Sequence, residues 1–172
     1  ETLVGIDYRS PFKDAGGVSN NVPVEGTLYG LGNLGGLCAI AVTLNEAREV
    51  VQLTPMQSLN FGERNNTMSD RVRAIAAVFN SGNFGAAASE HVMQDMWEKW
   101  VFLASLAAST CLMRTSVGNI LAVTGGKDFL LGMLDECSAV ATAEGYSPGG
   151  PFFQRTRGLL TAEGSPMTAS MF

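Results

Sequence analysis

The chain is poor in the residues from which most reactive sites are built. Its single histidine, His91, rules out any site that needs two imidazoles, so no metal centre is expected. The cysteines are Cys38, Cys111 and Cys137, an odd number with no CxxC spacing and apolar neighbours. That pattern excludes a disulfide framework and a zinc ribbon, and predicts reduced thiols packed in the core. Charged residues are only 16% of the chain, and no basic run occurs. Nucleic acid, which needs a cationic stripe, is therefore not an expected partner. The longest uncharged helical stretch is the 14 residues Trp100–Met113, too short to cross a bilayer. The opening residues carry Glu1, Asp7, Arg9, Lys13 and Asp14 without an apolar run, so they do not read as an export signal. The expected location is the cytoplasm.

What the chain does have is apolar material, 46% of 172 residues with a net charge of −5. This suffices for one domain and a small second lobe. Glycine, proline and asparagine crowd residues 1–33, which read as a loop-rich segment with at most short strands. An apolar run at 37–44 predicts a buried strand. Residues 49–54, ended by Pro55, predict a second strand, and the alternating residues 57–62 a third. From residue 67 the hydrophobic period changes to that of a helix. Thr67 to Asp70 supply N-cap candidates, Val72, Ile75, Ala76, Val78 and Phe79 share a face, and Gly82 closes the segment. Further helices are predicted from about Ser89 to Met113, over 116–123, over 127–144 with Gly145 after it, and over 152–160 with Pro151 early. The fold class that follows is mainly α, with a few strands leading in. The final residues, Ser165 to Phe172, do not read as a natural stop, so a fragment of a longer protein is expected.

Two motifs carry possible chemistry. Gly30-Leu-Gly32-Asn-Leu-Gly35 has the glycine spacing of a dinucleotide loop, but that loop must open a helix, and the residues after it read as a strand. The stronger motif is Met96-Trp-Glu-Lys99-Trp100, where one lysine precedes a long uncharged helix. Burial against apolar surface disfavours the charged ammonium and makes such a lysine a usable proton donor. The plainer alternative is a lysine that lays its stem over the tryptophans and keeps its charge in water. Ser105, Ser109 and Thr110 on the same helix can either meet substrate oxygens or bond back to helix carbonyls. Arg155 and Arg157 read as solvated surface rather than a carboxylate grip, and His91 as a cap or surface residue.

Taken in order, Leu34-Gly-Gly-Leu-Cys-Ala-Ile-Ala-Val-Thr-Leu44, Val50-Val51, Leu59-Asn-Phe-Gly-Glu63 and Asp95-Met-Trp-Glu-Lys99 resemble the ketopantoate reductase (2-dehydropantoate 2-reductase) family over roughly residues 34–172. The resemblance implies linking strands at 34–64 from the edge of a cofactor domain, then a truncated helical substrate and dimerisation domain at 65–172, similar to the C-terminal domain of 6-phosphogluconate dehydrogenase. It implies NADPH-dependent reduction of a 2-oxo acid, ketopantoate, to pantoate for coenzyme A synthesis, by a possible homodimer. It implies that Lys99 protonates the developing alkoxide and that Ser170 contacts substrate. NADPH would be bound mainly by a domain outside this chain, and no cofactor-binding residue is assigned within it. The family's asparagines four and eight residues after the lysine are replaced by Leu103 and Ala107. A related 2-oxo acid, or a non-catalytic helical module for dimerisation or ligand binding, is the alternative this departure raises.

Overall fold

The computed structural model describes residues 34–82 and 85–169. The described residues form β1 (Leu34–Leu44), β2 (Val50–Glu63), α1 (Asp70–Phe79), β3 (Gly85–Ala88), α2 (Val92–Met113), α3 (Val117–Leu121), α4 (Gly126–Ala143) and α5 (Gly150–Leu160). The fold is mainly helical with a small lead-in sheet, as the sequence pattern implies. One compact unit ends at Met96 and a second begins at Trp97. No helix of the described residues is long and apolar enough to cross a membrane, and none of their His, Cys, Asp and Glu side chains cluster as a metal site.

In the first unit, β1 and β2 pair antiparallel, and β3 adds in parallel along Ser58–Phe61. Asn45 makes the hairpin turn: its side chain accepts from Glu49 N at 2.9 Å and donates to Glu49 Oε2 at 2.8 Å, while Arg48 takes a positive φ of 63°. Two departures from the sequence reading have clear causes. The strands predicted before and after Pro55 are one strand, because the register shifts between Ile40 and Val42, whose partners are Gln57 and Gln52. Residues 53–56 bulge out of the ladder there, which is where a proline without an N–H does no harm. The hairpin is also not a buried one. Ile40, Val42, Leu44, Val50, Leu53 and Met56 are exposed, since β3 flanks only the base of β2. Cys38 on β1 is likewise exposed, and Cys111 and Cys137 are half-buried, so the cysteines are free thiols but not core residues.

The base of the sheet is tied to α1 by charge. Glu63 is buried and accepts from Arg71 Nε at 2.7 Å, from Arg71 Nη2 at 2.6 Å and from Ser69 Oγ at 2.5 Å. Ser69 is also the N-cap of α1, accepting from Val72 N at 3.3 Å. The Arg71 hydrogen bonds, helped by Ser69, hold the Glu63 carboxyl below the usual carboxylate range, against the opposing effect of burial. The carboxylate therefore stabilises the fold above the range in which an unfolded glutamate titrates. That contribution is lost as pH falls through the lower, folded value. Glu63→Gln is expected to cost about 1–2 kcal/mol at neutral pH, discounted for the partial exposure of Arg71. Urea unfolding at stepped pH should show this gap closing under acid; a gap independent of pH would refute it.

The second unit is a helical core. Trp97, Val101, Leu106, Val117, Ile120, Leu130, Leu134, Ala141, Phe152 and Leu160 make up its buried cluster. Burying each large aliphatic side chain contributes about 1.5–3 kcal/mol before chain entropy is counted. The helix ends follow local rules. Ser116 caps α3, Gly125 precedes α4 with φ 81°, Gly145 follows it with φ 90°, and α5 has a proline in its first turn. On α4 the inward face turns out to hold Leu130, Leu134 and Ala141, while Val140, expected inside, is exposed.

Candidate active site

The motif that ends in Lys99 lies at the start of α2, and each neighbour fixes it differently. Ser89 Oγ donates to Asp95 Oδ2 at 2.6 Å and accepts from His91 N at 3.1 Å, closing the helix start. Ser89 N donates to the Phe61 carbonyl at 2.7 Å. A Cβ at Gly62 would run into the Ser89 carbonyl, and one at Gly35 would press on the Val92 side chain. Both glycines exist for close packing of sheet on helix. His91 is exposed beside this cap, as the sequence suggests.

Within the second unit, Trp97 is buried, stacked on Tyr146 at 5.8 Å and edge-on to Trp100 at 5.3 Å. Glu98 Oε1 accepts from Gly149 N at 2.8 Å. Gly149 is the N-cap of α5, so a carboxylate meets the positive end of that helix. Glu98 thus locks α2 to α5 one residue before the candidate donor. Lys99 is half-buried, and at helical spacing it shares a face with Leu103, 45% exposed, and half-buried Ala107.

The hydroxyls behind this face are structural. Ser105 is buried and donates to the Val101 carbonyl at 2.7 Å. Thr110 is buried and donates to the Leu106 carbonyl at 2.8 Å. This is the back-bonding alternative rather than a substrate grip. The Ser109 hydroxyl and the Trp97 indole N–H are buried with no hydrogen-bond partner among the described residues. Arg155 and Arg157 are exposed on α5, with Arg155 lying 5.9 Å from the Phe152 ring centre. Ser170 lies outside the described residues, as do residues 1–33 and hence most of the glycine motif. Its last member, Gly35, sits in β1, so a strand rather than a helix follows the glycines. The described residues therefore do not fit the pyrophosphate of a dinucleotide at this motif. Two links were not legible in the sequence: Glu98 to Gly149, and Thr110 to Ala169, whose N–H reaches the threonine oxygen at 3.1 Å.

Comparison with known proteins bears on the same helices. Residues 91–172 match the family model described as the ketopantoate reductase PanE/ApbA C-terminal domain. An uncharacterized oxidoreductase of Bacillus subtilis, YkpB, is 28% identical over 138 residues, 80% of this chain and 46% of its own length. The structure of 2-dehydropantoate 2-reductase from Geobacter metallireducens has a TM-score of 0.67 and 22% identity, covering 81% of this chain and 46% of that one. A dimeric ketopantoate reductase from Staphylococcus aureus has a TM-score of 0.65 and 15% identity, over 81% and 46% of the two chains. The chain thus spans about half the length of the proteins it resembles. The ketopantoate reductase C-terminal fold and an oxidoreductase resemblance are established for it.

Proposed function

We propose that this chain is the substrate side of an NADPH-dependent reductase of 2-oxo acids, with Lys99 as its proton donor and ketopantoate as the first substrate to test. The observation that carries the reading is the placement of Lys99. It is half-buried on a helix braced one residue earlier by Glu98 against α5, within the residues that match the ketopantoate reductase C-terminal family model.

NADPH supplies the hydride in such a reaction and is assigned to the part of the protein outside this chain. The contribution of this chain is the proton. As the carbonyl carbon becomes tetrahedral, negative charge gathers on its oxygen, and an ammonium beside it stabilises that charge. Transfer of one N–H proton to the alkoxide gives the alcohol and leaves a neutral amine, which water reprotonates. Ser170 is assigned to substrate contact by its match to the family serine. The apolar residues exposed on β1 and β2 support the reading of 34–64 as linking strands that a cofactor domain covers. Self-association, as in the dimeric S. aureus protein, and a cytoplasmic role in making pantoate complete the proposal.

Loss of NADPH absorbance with ketopantoate, measured on the full-length protein, tests the reading. Turnover supports it. Intact NADPH binding without ketopantoate turnover points to another 2-oxo acid, a reading that Leu103 and Ala107 beside Lys99 favour. Failure across a panel of 2-oxo acids leaves a non-catalytic helical module.

A further inference from the structure

The sheet of the first unit ends on β1, and β1 carries none of the usual guards of an edge. The strand order is β1-β2-β3, so among the described residues β1 pairs only with β2. The outer side of such a strand is a row of backbone N–H and C=O groups that another strand can join. Proteins blunt these edges with charges, prolines, bulges or short length. β1 has 11 residues, none of them charged and none proline. The irregularity in the ladder does not interrupt it. Between the pairs Ile40–Gln57 and Val42–Gln52, residues 53–56 of β2 face Ala41 alone, so the bulge belongs to the inner strand. Exposure alternates along β1 straight through this point, with Ile40, Val42 and Leu44 toward solvent and Leu37, Ala39 and Ala41 half-buried. β3, at the other end of the sheet, has only 4 residues and is guarded by its shortness.

We propose that the β1 edge is a self-association surface: it pairs antiparallel with β1 of a second copy, across a two-fold axis perpendicular to the sheet. The three strands of each copy then form one continuous sheet. A two-fold sets β1 against itself, and an uncharged strand meets its own copy with no like charges opposed. The axis keeps Ile40, Val42 and Leu44 of both copies on one side, where they merge into a shared apolar face. The charged turn residues Glu46, Arg48 and Glu49 follow β1 and lie outside the paired stretch. Eleven residues paired in this way make about ten backbone hydrogen bonds, the number found in a typical specific interface. From the proposed function this takes only the self-association. A cofactor domain laid over a face of the sheet covers side chains and leaves the edge open.

The test uses the full-length protein as wild type, Val42→Lys and Leu53→Lys. Val42 is 45% exposed on β1, and Leu53 is 61% exposed one strand further in, so the monomer accommodates either lysine. Sedimentation over a range of concentrations gives the dissociation constant. Amide hydrogen exchange is read along β1 at low and high concentration, and turnover of a 2-oxo acid panel is read on the same samples. The wild type is expected to dimerise, with exchange along β1 slowing as the dimer forms. Val42→Lys puts one ammonium from each copy on the paired edge. It is expected to raise the dissociation constant roughly tenfold, with Leu53→Lys within about twofold of wild type. Should Val42→Lys yield little folded protein, Ile40→Lys takes its place. A wild type still monomeric at about 0.1 mM overturns the proposal. So does a dimer whose β1 exchange ignores concentration, one that Val42→Lys leaves intact, or one that both lysines weaken equally, which would place the contact on the sheet face. Turnover by a monomeric wild type overturns the edge and keeps the reductase reading. A dimer with slowed β1 exchange and no turnover upholds the edge and counts against that reading alone.

Discussion

Lys99→Ala in the full-length protein is expected to lower kcat for 2-oxo acid reduction by about 10²–10⁴-fold, with NADPH affinity near that of wild type. The magnitude is that of a positioned general acid, and no residue of the motif replaces it. Asp95 is bonded to Ser89 at the helix start, Trp97 is in the core, and Glu98 is engaged by α5. A second variant separates charge from proton transfer. Lys99→Arg keeps a cation at the site, but a guanidinium does not give up its proton in a protein. It should retain part of the substrate binding and little of the turnover. Steady-state kinetics of the three proteins, with NADPH binding followed by fluorescence, decide the matter. Alanine and wild-type proteins with equal kcat would end the role proposed for Lys99. An arginine variant as fast as wild type would show that charge alone suffices.

Lys99 stands out in the sequence as a candidate because its surroundings are so uneven. It stands between Trp97 and Trp100 at the head of a stretch with no charge until Arg114, and such contrast survives without a structure. The helices were legible for similar reasons, since their caps and glycines are local signals: Ser69, Ser116 and Gly145 each sit where their chemistry requires. β3 was not legible. Gly85-Ala-Ala-Ala88 has no alternation and no β-branched residue, and it is a strand only because the backbone of β2 offers it a partner. Strand pairing also joined the two segments around Pro55, where a bulge absorbs the residue that local rules treat as a stop. The ties from Glu98 to Gly149 and from Thr110 to Ala169 span 51 and 59 positions, and nothing in either neighbourhood marks them. The candidate site's outline is thus local information, while the hydrogen bonds that brace its helix are not.

The residues beside Lys99 lead to a substrate prediction. Leu103 and Ala107 continue its helical face one and two turns on, and neither can hydrogen-bond through its side chain. Ketopantoate carries a terminal hydroxyl. A site with a donor or acceptor aimed at such a group rejects the analogue that lacks it by about 10⁴–10⁵-fold, whereas an apolar wall discriminates by about 10²-fold at most. The wild-type protein is therefore expected to reduce ketopantoate no better than the same acid without its hydroxyl. Leu103 is 45% exposed, so Leu103→Asn should fold normally. Leu103→Asn combined with Ala107→Asn is expected to shift kcat/KM toward the hydroxylated acid by roughly tenfold, the worth of one new hydrogen bond of about 1–1.5 kcal/mol. The measurement is kcat/KM for both acids on the wild-type and double-variant full-length proteins. A wild-type protein that already prefers ketopantoate by more than about 10³-fold would mean that its hydroxyl is bound elsewhere than on this face of α2. An unchanged ratio in the double variant would carry the same meaning for the two asparagines, and would return the specificity to the residues contributed from outside this chain.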